Sequence, residues 1–293
     1  MGYSGRYHAA SLAAVFIALA IGILIGIGLA DDVVSTASQE LEQSLRDERD
    51  QAEQEADDLR GQLDMESDFS DAAYPALVDG RLDRQRFAVV ELGDVPDDAV
   101  DTTAEDAIDA AEQGGADLAS VSSIALPVDL APLAEAAGGS FKRAQRDPDE
   151  AERLGRLIGA QIPGGGDLID ETKPDLFSRF NGSLDDVTLL ILIRNPVKAG
   201  GGNRAKVQEA FESGLIEGAR RSAGGIVGVE RTSTDPTTLE QFSDHGVSTV
   251  DDVDTPAGKV AMVYVLGGAT GDFGVKGGAS SLLPPLKRDR PKQ

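Results

Sequence analysis

Twenty-two consecutive uncharged residues, Ala9 to Ala30, stand near the start of the chain and end abruptly at Asp31 and Asp32. As a helix rising 1.5 Å per residue, the run reaches about 33 Å, enough to cross a hydrocarbon core of about 30 Å. A secretory signal has a shorter apolar region, about 7–15 residues, and closes on a small-x-small cleavage site. Gly28-Leu29-Ala30 fits such a site, so a cleaved signal is the competing reading. The length favours an anchor, and so does the polar helical stretch directly after it. Arg6 and no acid precede the run. The positive-inside rule therefore keeps residues 1–8 cytoplasmic, makes 9–30 a transmembrane helix in the cytoplasmic membrane and sends the remainder outside. Gly22-x-x-x-Gly26 puts two glycines on one helix face, a spacing that lets two helices approach closely in lipid.

Beyond the apolar run the chain is strongly acidic. It holds 51 acidic residues in all against 27 basic, a net charge of −24. Such a surface repels nucleic acid and anionic headgroups, which removes both as partners. There is no cysteine, so no disulfide framework supports the fold.

Residues 31–68 read as an acidic helical stalk with no Pro and a single Gly, Gly61. Leu41, Leu45, Ala52, Leu59 and Leu63 fall on or beside one seam at spacings of four and seven. With Leu45, Ala52 and Leu59 at one core position of a heptad, the alternate position reads Val34, Leu41, Glu48, Glu55, Gln62. Two glutamates in a seam weaken a coiled coil. The stalk is expected to pair only where the anchor concentrates it; a solvated, unpaired helix is the other reading.

From residue 84 to 266 the texture is that of an extracytoplasmic α/β domain. Strands are expected at 87–92, 118–126, 187–194, 226–229 and 259–266, with helices at 98–113, 148–161, 203–223 and 236–243. Val187 to Arg194 is the most apolar of these, as befits the centre of a sheet covered on both faces. The alternation predicts a Rossmann-like, three-layer domain with a mainly parallel sheet. Residues 267–293, rich in Gly, Pro and basic residues, read as a loosely ordered tail.

Two stretches carry a family resemblance. His8-Ala-Ala-Ser-Leu-Ala-Ala-Val-Phe16 with its Gly-containing continuation resembles the opening of the MctB family, actinobacterial envelope proteins named for a mycobacterial copper-transport outer-membrane protein. Ser248-Thr-Val-Asp-Asp-Val-Asp254, with Pro256 and Gly258 just after it, is similar to a later stretch of the same family. The order of parts, anchor then charged helix then α/β domain, also matches. The resemblance implies copper transport or tolerance. Related members look like partners of a second membrane protein in cell-wall separation, which implies a different role.

The residues themselves offer little chemistry. Cu(I) wants Cys or Met sulfur and Cu(II) accepts imidazole. The chain has His8, His245, Met1, Met65 and Met262, scattered along its length, so one protomer cannot assemble a tight copper site; no metal or cofactor is expected. A self-made β-barrel needs about ten-residue strands of alternating polarity, which the buried α/β strands do not supply. Gly200, Gly202 and Ala205 fit G-x-G-x-x-A at the start of a helix, and Glu230 stands where a ribose-binding acid would. Against that, Pro196 and Lys198 lengthen the loop after Arg194, where a dinucleotide site needs a tight turn. His245 precedes Gly246 and reads as a helix cap, and Asp251 with Asp252 is an acid pair in an acid-rich chain. The sequence thus predicts a non-enzymatic, single-pass envelope protein. It homo-oligomerises through Gly22, Gly26 and the Leu41, Leu45, Leu59, Leu63 seam, and meets a second envelope or membrane protein. A scaffold in cell-wall separation and a nucleotide-binding enzyme are the alternatives.

Overall fold

The computed structural model describes residues 5–93, 102–195 and 201–286, with the backbone alone at 5, 6 and 27–40. The chain divides between Ser67 and Asp68 into two compact units.

The first unit is helical throughout its described length, as part of α1 (Gly5–Val78). Among the described residues, α1 is the one helix long and apolar enough to cross a bilayer: Tyr7–Gly26 has a mean hydropathy of 2.5 and is not buried at all. Leu41, Leu45, Leu59 and Leu63 are each more than half exposed. The arginines here pair within the helix, Arg46 with Glu42 at 3.1 Å and Arg60 with Asp57 at 2.7 Å. Exposed pairs of this kind contribute about 0.5 kcal/mol or less. Pairing of the stalk through its seam remains an expectation.

The second unit begins with the last turns of α1. Gly80, at φ +70°, turns the chain out of the helix in the left-handed conformation that glycine adopts without penalty. There follow β1 (Arg86–Leu92), α2 (Thr102–Gln113), β2 (Asp117–Ile124), α3 (Leu130–Ala136), α4 (Pro148–Gly159), α5 (Asp167–Leu176), β3 (Arg179–Gly182) and β4 (Leu189–Arg194). Next come α6 (Gly202–Ser222), β5 (Gly225–Val229), α7 (Glu240–Asp244), β6 (Ser248–Val250), α8 (Pro256–Leu266) and β7 (Asp272–Phe273). The strands form one sheet in the order β3-β2-β1-β4-β5-β6-β7. Among them only β3 runs antiparallel, on the edge beside β2. The sheet turns in opposite directions from β1, so β1 and β4 flank its switch point.

Alternation along the strands builds two cores. Ala88, Val90, Leu92, Leu190 and Leu192 pack on one face with α3 to α7; Phe87, Val89, Leu189, Ile191 and Ile193 pack on the other with α2 and α8. Each large side chain so buried contributes about 1.5–3 kcal/mol of transfer free energy.

The tightest helix contact lies in the first of these cores. Gly155 and Gly159 on α4 face Gly214 and Gly218 on α6. A Cβ at Gly155 would overlap the Phe211 carbonyl oxygen, and one at Gly159 that of Leu215. In return, Cβ atoms at Gly214 and Gly218 would overlap the carbonyls of Glu152 and Arg156. The backbones touch directly, and Arg156 ties the pair by a 2.7 Å ion pair to Glu217.

The structure corrects several sequence expectations. Lys259–Leu266 is not a strand but most of α8. The helix is buried almost all round, so its apolar run shows no 3.6-residue period, and periodicity alone cannot separate it from a buried strand. Its start is nevertheless written in the residues: Thr255 accepts a hydrogen bond from the Gly258 N–H at 3.0 Å, and Pro256 takes the first helical position. The tail expected to be loose from 267 carries β7, which pairs with β6, and a further bridge from Phe273 to Ser281. Residues 287–293 lie outside the described part, as do 98–101 of the helix expected at 98–113. The helix expected at 236–243 begins only at Glu240. Elements α3, α5, β3 and the short β6 have no counterpart among the elements expected from sequence.

Candidate functional site

At the carboxyl edge of the sheet, β5 and β6 each deliver acids. Glu230 comes directly after Val229, and Asp251-Asp252-Val253-Asp254 directly after Val250. Parallel sheets usually hold ligands outside this edge at the switch point, which here lies between β1 and β4, away from β5 and β6.

Each acid has a distinct occupation. Glu230 is buried and accepts hydrogen bonds from Thr237 Oγ1 at 2.8 Å, the Thr238 N–H at 2.8 Å and Thr238 Oγ1 at 3.1 Å. It also takes Lys276 Nζ at 2.7 Å, an ammonium that donates further to the carbonyls of Arg231 at 2.8 Å and Thr234 at 2.7 Å. Asp251 accepts the backbone N–H groups of Val275 at 2.8 Å and Lys276 at 3.0 Å. Asp254 accepts from the N–H and hydroxyl of Thr232 and sits beside Arg231, which also pairs with Asp106.

Asp252 differs. It is fully buried; one oxygen accepts from Thr255 Oγ1 at 3.0 Å, and the other has no hydrogen-bond partner among the described residues. Burial pushes its carboxyl up to about 6, opposed by the Thr255 hydrogen bond and reinforced by the charges of Asp251 and Asp254. Asp251 is thus engaged by backbone N–H groups, whereas Asp252 is buried with one oxygen unengaged among the described residues.

Beside this cluster lies a cavity of about 770 Å³ bordered by Thr232, Asp235, Asp244, Asp251, Asp272 and Lys276. A second cavity, about 660 Å³, is bordered by Pro127, Arg194, Ala205, Gln208, Glu212 and His245. In it Arg194 is held through both nitrogens it offers to Glu212. Gln208 clamps the main chain of Val128, accepting at 2.9 Å and donating at 2.7 Å.

Of the residues singled out from sequence, Ala205 and His245 border the second cavity together, and Glu230 and Asp251 are joined through Lys276 at the carboxyl edge. Gly202 opens α6 at φ +75°, with open space where a Cβ would stand. That openness is what the middle glycine of a dinucleotide fingerprint provides for a pyrophosphate, so the long loop after Arg194 remains the feature that departs from the motif. Gly200 lies outside the described residues, together with Pro196 and Lys198. Ala205 borders the second cavity. Glu230, in the position of a ribose-binding acid, is committed to Lys276. His245 caps α7 through its backbone N–H, which donates to Phe242 O and Ser243 O. Gly22 and Gly26 have nothing within 4 Å of a Cβ position. Met65 is exposed, Met262 is buried in α8, and His8 is exposed on α1. Among the described residues no group of three or more His, Cys, Asp or Glu side chains is arranged to hold a metal ion.

Sequence reasoning missed Lys276. It is the sole basic residue between Lys259 and Lys287 and directly precedes Gly277-Gly278, a faint signal of a cation with a fixed place. Glu230 lies 46 residues earlier, too far for any local pattern to join them.

A family model described as copper transport outer membrane protein, MctB, matches residues 3–284. No curated protein matches the chain.

Proposed function

This chain belongs to the MctB family, and on that premise we propose that it is a membrane-anchored envelope protein serving copper transport or homeostasis without gripping copper itself. The observation that carries the anchor is the Tyr7–Gly26 segment of α1: 20 residues, mean hydropathy 2.5, with no side chain buried. Apolar side chains left in water on that scale are stabilised by lipid. The positive-inside rule then leaves the α/β domain outside the cytoplasmic membrane. The seven strands of the described residues lie in a sheet covered by helices on both faces, whereas a barrel strand turns one apolar face to lipid.

The weak hold on copper is supported by donor chemistry. No Cys is present, and Met65 and Met262 lie in different units, one exposed and one in the core. The protein on this reading works as a non-enzymatic scaffold that self-associates through Gly22 and Gly26 in lipid. A role as regulatory partner in cell-wall separation is the second reading, favoured by the exposed Leu41, Leu45, Leu59 and Leu63 seam. A nucleotide-binding enzyme is third, and rests on the Gly200–Ala205 loop alone.

Two measurements test the proposal. The protein should remain with membranes through high salt and alkaline washing and keep its N-terminus; a soluble form beginning at Asp31 would reverse the assignment. Calorimetric titration of the full chain in detergent with Cu(I) should give no stoichiometric site of submicromolar affinity, and finding one would restore a direct copper-carrying role.

A further inference from the structure

We propose that Glu230, with the main-chain carbonyls of Arg231 and Thr234, forms a receptor for a primary ammonium group. Lys276 fills it as a tethered ligand, and an amine-bearing molecule entering the adjoining acidic cavity displaces it. This inference stands apart from the copper reading.

The cage satisfies its occupant in full. Three acceptors lie 2.7–2.8 Å from Lys276 Nζ: one carboxylate oxygen and two carbonyl oxygens. An ammonium has three donors and no acceptor, so this set leaves none of them unpaired. The cage is also built without help from Lys276. Glu230 is 3 % exposed and its carboxylate is fixed by Thr237 and Thr238 through three other hydrogen bonds. Removing Lys276 therefore leaves a buried, oriented carboxylate that lacks a cation, which is costly.

The occupant, in contrast, reaches the cage from the loop after β7, whose main chain Asp251 holds at Val275 and Lys276; releasing the occupant loosens those two bonds, and exchange of their N–H groups reports it. Immediately afterwards Gly277 and Gly278 have open space around them, and glycine supplies the rotational freedom a hinge needs. The adjoining cavity of about 770 Å³ gives an entering ligand room. Asp235, Glu240, Asp244, Asp251 and Asp272 border it, with Lys276 as the single cation among the described residues that do so. Such a lining attracts cations, and the three-acceptor cage selects those that carry N–H donors. The ligand class is a primary amine on a flexible stem, either a free diamine or the side chain of a peptide.

The test uses the full chain in detergent micelles with 1,5-diaminopentane as the probe. In the wild type, amide hydrogen exchange at residues 274–278 should accelerate at least about 5-fold and saturate with the diamine, as expected when a ligand shifts a local opening equilibrium. Tetramethylammonium at equal ionic strength, which has no N–H donor, should have no effect. The variant Lys276→Ala should melt at a lower temperature, and n-butylammonium should recover at least half of that loss where tetramethylammonium recovers none. Exchange that the diamine leaves unchanged, or accelerates no more than tetramethylammonium does, overturns the proposal. Equal acceleration by calcium overturns it in favour of a general cation site. Should Lys276→Ala not fold, the wild-type exchange measurement decides alone.

Discussion

The same glycine spacing occurs in both units with opposite surroundings. Gly155-x-x-x-Gly159 and Gly214-x-x-x-Gly218 lock two helices backbone to backbone, whereas Gly22-x-x-x-Gly26 faces open space. Around the first pair, Leu154, Ile158, Leu215 and Ile216 are buried; along the first unit, Leu41, Leu45, Leu59 and Leu63 lie open to solvent. The spacing permits close approach and nothing more. What brings α4 and α6 together in water is the burial of the apolar side chains flanking the glycines. A lipid-embedded pair would need packing and interhelical contacts instead. A motif read without its neighbours cannot say which case applies.

The largest expected effect comes from filling the closed pair. Gly214→Ala with Gly218→Ala should cost on the order of 3 kcal/mol or more, because backbone must separate, measured by urea unfolding of the α/β domain. Gly22→Ile with Gly26→Ile should leave that unfolding curve unmoved and reduce crosslinked dimer in native membranes. If the dimer persists, the open glycines are merely small residues in an apolar helix.

A buried acid in the second unit has exposed counterparts in the first. The Asp252 carboxyl is raised to about 6 when folded and titrates near 3.9 when unfolded. Between those values the native state binds more protons, so stability falls as pH rises through about 4 to 6, and the full penalty applies above it. Asp252→Asn should therefore stabilise the protein at pH 7 by about 1–3 kcal/mol and flatten its melting profile across that window. At a pH of about 3.5, below both values, the variant and wild type should melt alike. Asp64→Asn, on the exposed stalk, should change stability by less than about 0.5 kcal/mol.

Smaller still is the expected response of the seam. Glu48→Leu with Glu55→Leu completes an apolar stripe and should raise self-association by crosslinking, with no change in domain unfolding. Leu59→Ala should shift unfolding by less than about 0.5 kcal/mol, since Leu59 buries little in one chain. A larger loss in native membranes would mean that a partner covers it.

Legibility in the sequence tracks the range of each interaction. The strands at 87–92 and 226–229 and the long α6 were readable because their hydrophobic runs and glycine boundaries are local. The order of the sheet's strands was not, since pairing such as β1 with β4 joins residues about a hundred positions apart. α8 was misread because burial on every side erases its period, although Thr255 and Pro256 marked its start. At the candidate site, Glu230 and Asp251 could be named, but only the return of the chain at Lys276 reveals what they hold.

The glycine contact between α4 and α6 also has a genetic consequence. Every single-base change in a glycine codon that alters the residue installs at least a Cβ or introduces a stop. At Gly155, Gly159, Gly214 and Gly218 any Cβ collides with a carbonyl of the facing helix. No one-step replacement is therefore neutral there, and drift at these four sites is closed unless both helices change together.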